Sequence, residues 1–305
     1  MKQILRWLIF GGTLFFVAKV FKDNWQDVGK INIDAPGWAI LVIASGVTLL
    51  AHTWAGWVWT WVLKELNQQV PTSYFIQVYL KTNIAKYLPG NIWHHYGRIV
   101  AAKEAKIPTA VATLSVVLEP LLMAVAALIM ILIFAGKLVF SSFNIWVQIL
   151  QIFCVIVVLC LIHPWFLNRI LSFLQKIKIK KSSQPSVSTP ANIHRYPLKP
   201  LMGEFGFLVL RGIGFILTIF TVSPLNISQV PLLLGAFSLA WLLGLVIPGA
   251  PGGIGVFEAT AISLLQYHFP TAVILGAVAL YRLISIFAEA IGATLAWCDE
   301  RLERL

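Results

Sequence analysis

Seven stretches of this chain are apolar over roughly the length that a helix needs to cross a lipid bilayer: 4–21, 36–63, 107–135, 144–165, 205–222, 230–247 and 271–297. A membrane helix takes about 20 mostly apolar residues, because a 1.5 Å rise per residue must cover about 30 Å of hydrocarbon. In lipid every backbone polar group must also be satisfied internally, so such runs fold as helices or not at all. Two shorter runs, 73–88 and 254–268, are interrupted by polar or turn-forming residues.

Composition excludes the alternatives. Of the 305 residues 59% are apolar and 11% are charged, and the mean hydropathy is +0.83. A water-soluble domain carries about 25% charged residues and could not bury this much apolar surface. Disorder is excluded for the same reason. Three cysteines, Cys154, Cys160 and Cys298, lie in or beside apolar runs without a C-x2-C spacing, so they read as small apolar fillers, neither a disulfide framework nor a zinc site. The first run follows Lys2 and Arg6 as in a secretion signal. Phe16-Val17-Ala18 is no small-x-small cleavage site, and the run reads as an uncleaved span.

The formal net charge is +11. Seventeen of the 23 Lys and Arg fall at the N-terminus, in 64–106, in 166–204 and in the C-terminal tail. Lys22, Lys30 and Lys137 alone occupy the other connections, and Lys19, Arg211 and Arg282 lie within spans. This asymmetry places both termini in the cytoplasm, makes 166–204 a basic cytoplasmic linker, and accounts for the charge without nucleic acid. The number of crossings between the linker and the tail must then be even. Segment 230–268 therefore enters and leaves on one side as a hairpin. Its middle, residues 247–255, holds two Pro and four Gly, which no regular helix accommodates.

A shift of 162 residues lays Pro89-Gly90 on Pro251-Gly252 and Pro108-Thr-Ala-Val on Pro270-Thr-Ala-Val. Each half then reads span, span, broken hairpin (73–104 or 230–268), span. Three crossings per half invert the second relative to the first. The expected fold is an all-α integral membrane protein of about six transmembrane helices and two re-entrant hairpins in two inverted repeats. The first repeat fills 1–165 together with the first span of the second (144–165), and the rest of the second fills 205–305.

Broken helices inside a membrane are tolerated where they are buried or line a wet cavity, so they point to a path for something polar. Pro89, Gly90, Pro248, Gly249, Pro251, Gly252, Gly253 and Gly255 are the expected breaks. After the first, Asn91 can cap a new helix whose N-terminus suits an anion, with Lys81, Lys86 and Arg98 nearby. A nonspecific grip on lipid phosphates is the competing reading of these basic residues. Glu119, Arg211, Arg282 and Glu289 are charges inside spans, and Glu258 follows the second break. Arg282 is expected to help hold an anionic headgroup, balanced by Glu119, Glu258 or Glu289. Ion pairs that merely hold the bundle are the other reading of the same charges. His94-His95 point about 100° apart on a helix and lack acidic or cysteine partners, which suits no metal. Trp54, Trp57, Trp59 and Trp61 read as an interfacial belt. Ala288, Gly292 and Ala296 read as a close helix contact. No nucleotide loop, zinc-protease or hydrolase motif is present, and no cofactor is implied.

The segment Lys86-Tyr-Leu-Pro-Gly-Asn with Arg98, and Ile247-Pro-Gly-Ala-Pro-Gly-Gly-Ile-Gly-Val-Phe-Glu-Ala259, resemble the membrane region of the lysylphosphatidylglycerol synthase/flippase family, over about 5–297. In bifunctional members this region moves aminoacylated phospholipid while a separate soluble domain makes it, and this chain looks like the flippase-like part alone. Where many relatives have Gly-Gly-Asp after the first Pro-Gly, this chain has Asn91-Ile-Trp-His-His-Tyr. The resemblance implies a non-enzymatic translocase of the bacterial inner membrane. Its partners would be membrane lipids, anionic or aminoacylated. The rivals are a subunit that recruits a separate lipid synthase or glycosyltransferase and, more remotely, a lipid-modifying enzyme using His94, His95 and Glu258.

Overall fold

The computed structural model describes residues 32–88, 92–135, 195–247 and 251–302, with scattered positions in 19–26 and 149–172. The expected span 4–21 is described at Lys19 alone and 144–165 at scattered positions, while most of the linker, the break residues Pro89, Gly90, Pro248 and Gly249, and Asn91 lie outside the described residues. All regular structure among the described residues is helical.

Helix α1, Ala35–Glu65, begins where Asp34 accepts a 2.8 Å hydrogen bond from the Gly37 N–H, with Pro36 in the first turn. Its 31 residues reach about 46 Å, more than the hydrocarbon thickness. Helix α2, Thr72–Asn83, runs into a tight turn at Ile84–Tyr87, and α3 is Trp93–Glu104. Each of these two helices has 12 residues, about 18 Å, too short to cross alone. Helix α4, Thr109–Met130, continues as a wide turn to Ala135.

Helix α5, Leu198–Val222, starts seven residues before the expected span, so the end of the expected linker is helix. A turn at Ile227–Gln229 leads into α6, Val230–Val246. After the break come the turn Pro251–Gly253 and α7, Val256–Leu265, whose 10 residues cannot cross either. Helix α8, Thr271–Leu302, extends five residues beyond the expected span. Five helices among the described residues are long and apolar enough to cross a membrane: 35–65, 109–134, 198–222, 227–246 and 271–302. The first arm of the second hairpin is thus as long as a full span, while its return arm is short.

The order long helix, helix, short helix, long helix occurs twice, and the 162-residue shift carries α3 onto α7 and the start of α4 onto the start of α8. Helices α1 and α5 share the largest interface. They approach closely because a methyl group added at Gly203 would lie 2.6 Å from Val58 Cγ2, and one at Gly214 would lie 2.9 Å from Thr48 Oγ1. The outward faces stay apolar: Trp38, Val42, Ile43 and Leu50 on α1, and Leu283, Phe287, Ile291 and Leu295 on α8, are exposed. A soluble protein hides such stripes and a multi-pass membrane protein presents them to lipid.

The four tryptophans of α1 divide. Trp54, Trp57 and Trp61 pack edge to face, with centroids 5.0–5.7 Å apart. Trp59 is fully buried instead, 5.1 Å from the Phe75 ring, and its N–H donates to Ser115 Oγ at 3.3 Å. It belongs to the core and not to a belt, because it faces the first hairpin on the opposite side of α1. Ala288 and Ala296 are buried, and a Cβ at Gly292 would touch Leu49 at 3.0 Å and Leu80 at 3.2 Å. The small residues of α8 therefore seat it on α1 and α2.

Candidate functional site

The two breaks meet. A Cβ placed on Gly252 would lie 3.0 Å from the Tyr87 ring, so the turn after α2 touches the turn after α6. Beside this junction lies a cavity of about 490 Å³. That is within the roughly 300–1,000 Å³ of small-molecule pockets. Its walls come from α1 to α8 and both turns, with Val117, Leu121, Met123, Phe207, Trp241 and Phe257 among the apolar residues.

Four cationic side chains line it: Lys86, Arg98, Arg211 and Arg282. Arg98, on α3, donates to Glu119 on α4 at 2.7 Å, and its guanidinium stacks on the Tyr79 ring at 3.6 Å. Both members of this pair are buried, so the salt bridge closes the outer arm of the first hairpin on α4. Pro120, next to Glu119, lacks an N–H and leaves the Val116 carbonyl without its helical donor, which loosens α4 at the cavity wall.

Lys86 reaches Glu289 of α8 at 2.5 Å. The same carboxylate oxygen lies 3.1 Å from His52 Nε2. His52 is a buried residue of α1, and its Nδ1 is 3.3 Å from the Asn83 amide nitrogen. The amide donates to Nδ1, so the ring proton sits on Nε2 and is donated to Glu289. One carboxylate thereby ties the first turn, α1 and α8 together.

The second break is organised by Arg282. Its Nε donates to Glu258 Oε1 at 2.5 Å, its Nη1 to the Gly252 carbonyl at 2.9 Å and its Nη2 to the Gly253 carbonyl at 3.0 Å. The other oxygen of Glu258 accepts from the Gly255 N–H at 2.5 Å and so caps α7. Gly252, Gly253 and Gly255 all have positive φ (59°, 72° and 88°). At Gly253 a side chain is excluded twice over, because a Cβ would also lie 3.1 Å from the Gly244 backbone. The glycine turn therefore offers carbonyl oxygens to a cation, whereas a phosphate loop offers N–H groups to an anion.

The sequence candidates separate on this geometry. Lys86, Arg98, Glu119, Arg211 and Arg282 line one cavity, with Glu258 and Glu289 bonded behind two of the cations. Of the three acids that could balance Arg282, Glu258 is the one that does. Lys81 stands apart, paired with Glu300 at 2.6 Å. Asn91 lies outside the described residues, and the residue preceding α3 is Ile92, which makes no side-chain cap. The His94 and His95 rings lie side by side on the wall, with centroids 3.8 Å apart.

Sequence reasoning missed His52 and Glu204. His52 sits in an apolar span, where a lone imidazole could have been flagged as an intramembrane polar group. Glu204 falls among residues assigned to the linker. It is fully buried on α5, and neither of its oxygens has a hydrogen-bond partner among the described residues.

No curated protein matches the chain at a significant level. A family model described as the lysylphosphatidylglycerol synthase TM region matches residues 3–292.

Proposed function

The chain belongs to the family of the lysylphosphatidylglycerol synthase TM region, and from that premise we propose that it is a flippase-like protein of the bacterial inner membrane. Its cargo is a phospholipid, with or without an aminoacyl ester, or a lipid-linked headgroup. The observation that carries this reading is the cavity itself, a half-open pocket that sets a cluster of cations among apolar helices at the junction of two broken hairpins. A polar headgroup can sit there while its tails remain in lipid. Rocking of one half against the other would open the cavity to alternate faces, with both termini in the cytoplasm. No group in this scheme needs to perform covalent chemistry.

The test uses the purified chain in liposomes with headgroup-labelled phosphatidylglycerol and its lysyl ester. Exchange of either label between leaflets faster than in protein-free liposomes is the expected result. No movement of either lipid by folded protein would overturn the proposal and favour the subunit that recruits a separate synthase or glycosyltransferase.

A further inference from the structure

The charges around the cavity do not cancel. Arg98 has Glu119, Arg282 has Glu258, and Lys86 has Glu289. Arg211 has no carboxylate within salt-bridge distance among the described residues. Its Nη1 donates to Ser285 Oγ at 3.2 Å, and the Ser285 hydroxyl in turn donates to the Tyr281 carbonyl. The other close atom, His52 Nε2 at 3.5 Å, carries the proton given to Glu289 and has no lone pair for Arg211. The guanidinium otherwise lies over the Tyr281 ring, 4.9 Å from its centroid, and faces the cavity. One further carboxyl lies near, that of Glu204, which is fully buried in the field of Arg98 and Glu119 with no donor to either oxygen among the described residues, and a carboxyl buried in that way is carried neutral. The lining and the acids bonded behind it thus set four cations against three paired carboxylates, an excess of one positive charge. A guanidinium cannot shed its proton, so this charge must find its counterpart in whatever enters.

We infer that the cavity selects a phosphodiester headgroup of net charge −1 that carries no ammonium group, and that Arg211 anchors its phosphate. This rests on the translocase reading and narrows its cargo. The same balance of charge disfavours an aminoacyl ester. A lysyl ester adds two ammonium groups, and Glu119, Glu258 and Glu289 each already hold a cation at 2.5–2.7 Å. An incoming ammonium would meet three arginines and a lysine, and the acid in the described lining, Glu119, is already paired with Arg98. His94 and His95 add hydrogen-bonding rings to the wall, suited to uncharged hydroxyls. Arg282, the more conspicuous arginine in the sequence, is engaged by one carboxylate and two carbonyls of the chain itself and leaves the anchoring role to Arg211.

Binding tests this separately from transport. The full chain in nanodiscs of phosphatidylcholine is titrated with short-chain dioctanoyl lipids, reading its tryptophan fluorescence. Dioctanoyl phosphatidylglycerol is expected to bind about tenfold or more tighter than its lysyl ester, with phosphatidylethanolamine between them. Arg211→Gln, checked for folding by its melting profile, should lose most of that preference, and Arg211→Lys should keep it. Equal or tighter binding of the lysyl ester would overturn the inference even if the liposomes showed transport. Absence of binding by any of the three lipids would overturn it too. A fourth arm uses glycerophosphoglycerol, the same diester without tails. If it competes as strongly as the lipid, the charge selection stands and the lipid-translocase reading falls.

Discussion

Replacing Arg282 by Met should destabilise the fold through the glycine turn, and the size of the effect follows from three contacts. The guanidinium satisfies one carboxylate and two carbonyls at 2.5, 2.9 and 3.0 Å. Breaking a buried ion pair from one side costs about 3–5 kcal/mol, because the remaining charge stays desolvated. Here Arg282 is 19% exposed and Glu258 12%, and Glu258 keeps the Gly255 N–H, so about 3 kcal/mol is the reasoned value. The two carbonyls border the cavity, where water can replace the donor, and add less than about 1 kcal/mol each. Glu258→Gln alone should cost about 2 kcal/mol, since the amide oxygen can still accept one bond. The double variant should then be less destabilised than the sum of the singles by about 2 kcal/mol. The assay is equilibrium unfolding in mixed micelles, followed by tryptophan fluorescence, for all four proteins of the cycle. A coupling below about 0.5 kcal/mol would refute the claim that Arg282 and Glu258 act as one unit. So would wild-type stability in Arg282→Met.

Three further outcomes follow from the same structure. Glu204→Gln should raise the unfolding midpoint, because it removes a carboxyl that is buried with both oxygens unpartnered among the described residues; a lowered midpoint would mean that the group is held as an anion. Gly253→Ala should cost about 1–3 kcal/mol through its φ of 72° and the 3.1 Å approach to Gly244, and an unaffected melt would show that the turn can relax. Lys81→Met should change stability by less than about 1 kcal/mol, since its bridge to Glu300 is roughly 30% exposed on both sides, and a larger loss would make that contact structural.

The membrane class is legible in the residues, and so are the helix ends on either side of both Pro-Gly clusters, because apolar run length and such clusters act locally on the backbone. Helix ends are less so. Residues 198–204 read as linker because they hold Lys199, Glu204 and Pro200, yet α1 packs along them and Gly203 lets it come close. Tertiary contact outweighs local polarity there, and Glu204 is concealed by it. In the candidate site the charged residues can be nominated from the sequence, but their pairing cannot. Arg282 with Glu258 spans 24 positions and Lys86 with Glu289 spans 203, and nothing local decides between the available acids. Trp59 shows the same limit. Four tryptophans close together in one helix suggest a common environment, and the orientation of α1 sends one of them inward.

The clamp of Arg282 on the Gly252 and Gly253 carbonyls bears on where energy could enter. Unwound backbone carbonyls of this kind are where many transporters lodge a sodium ion or proton that arrives from one side and departs to the other. In this chain the positive charge at that place is tethered to α8 by a side chain. A tethered charge has no gradient and cannot be exchanged for bulk ion, so the glycine turn works as a permanent rivet between hairpin and helix. Under the proposed translocation, an ion that drives the movement would dock at a place other than these two carbonyls.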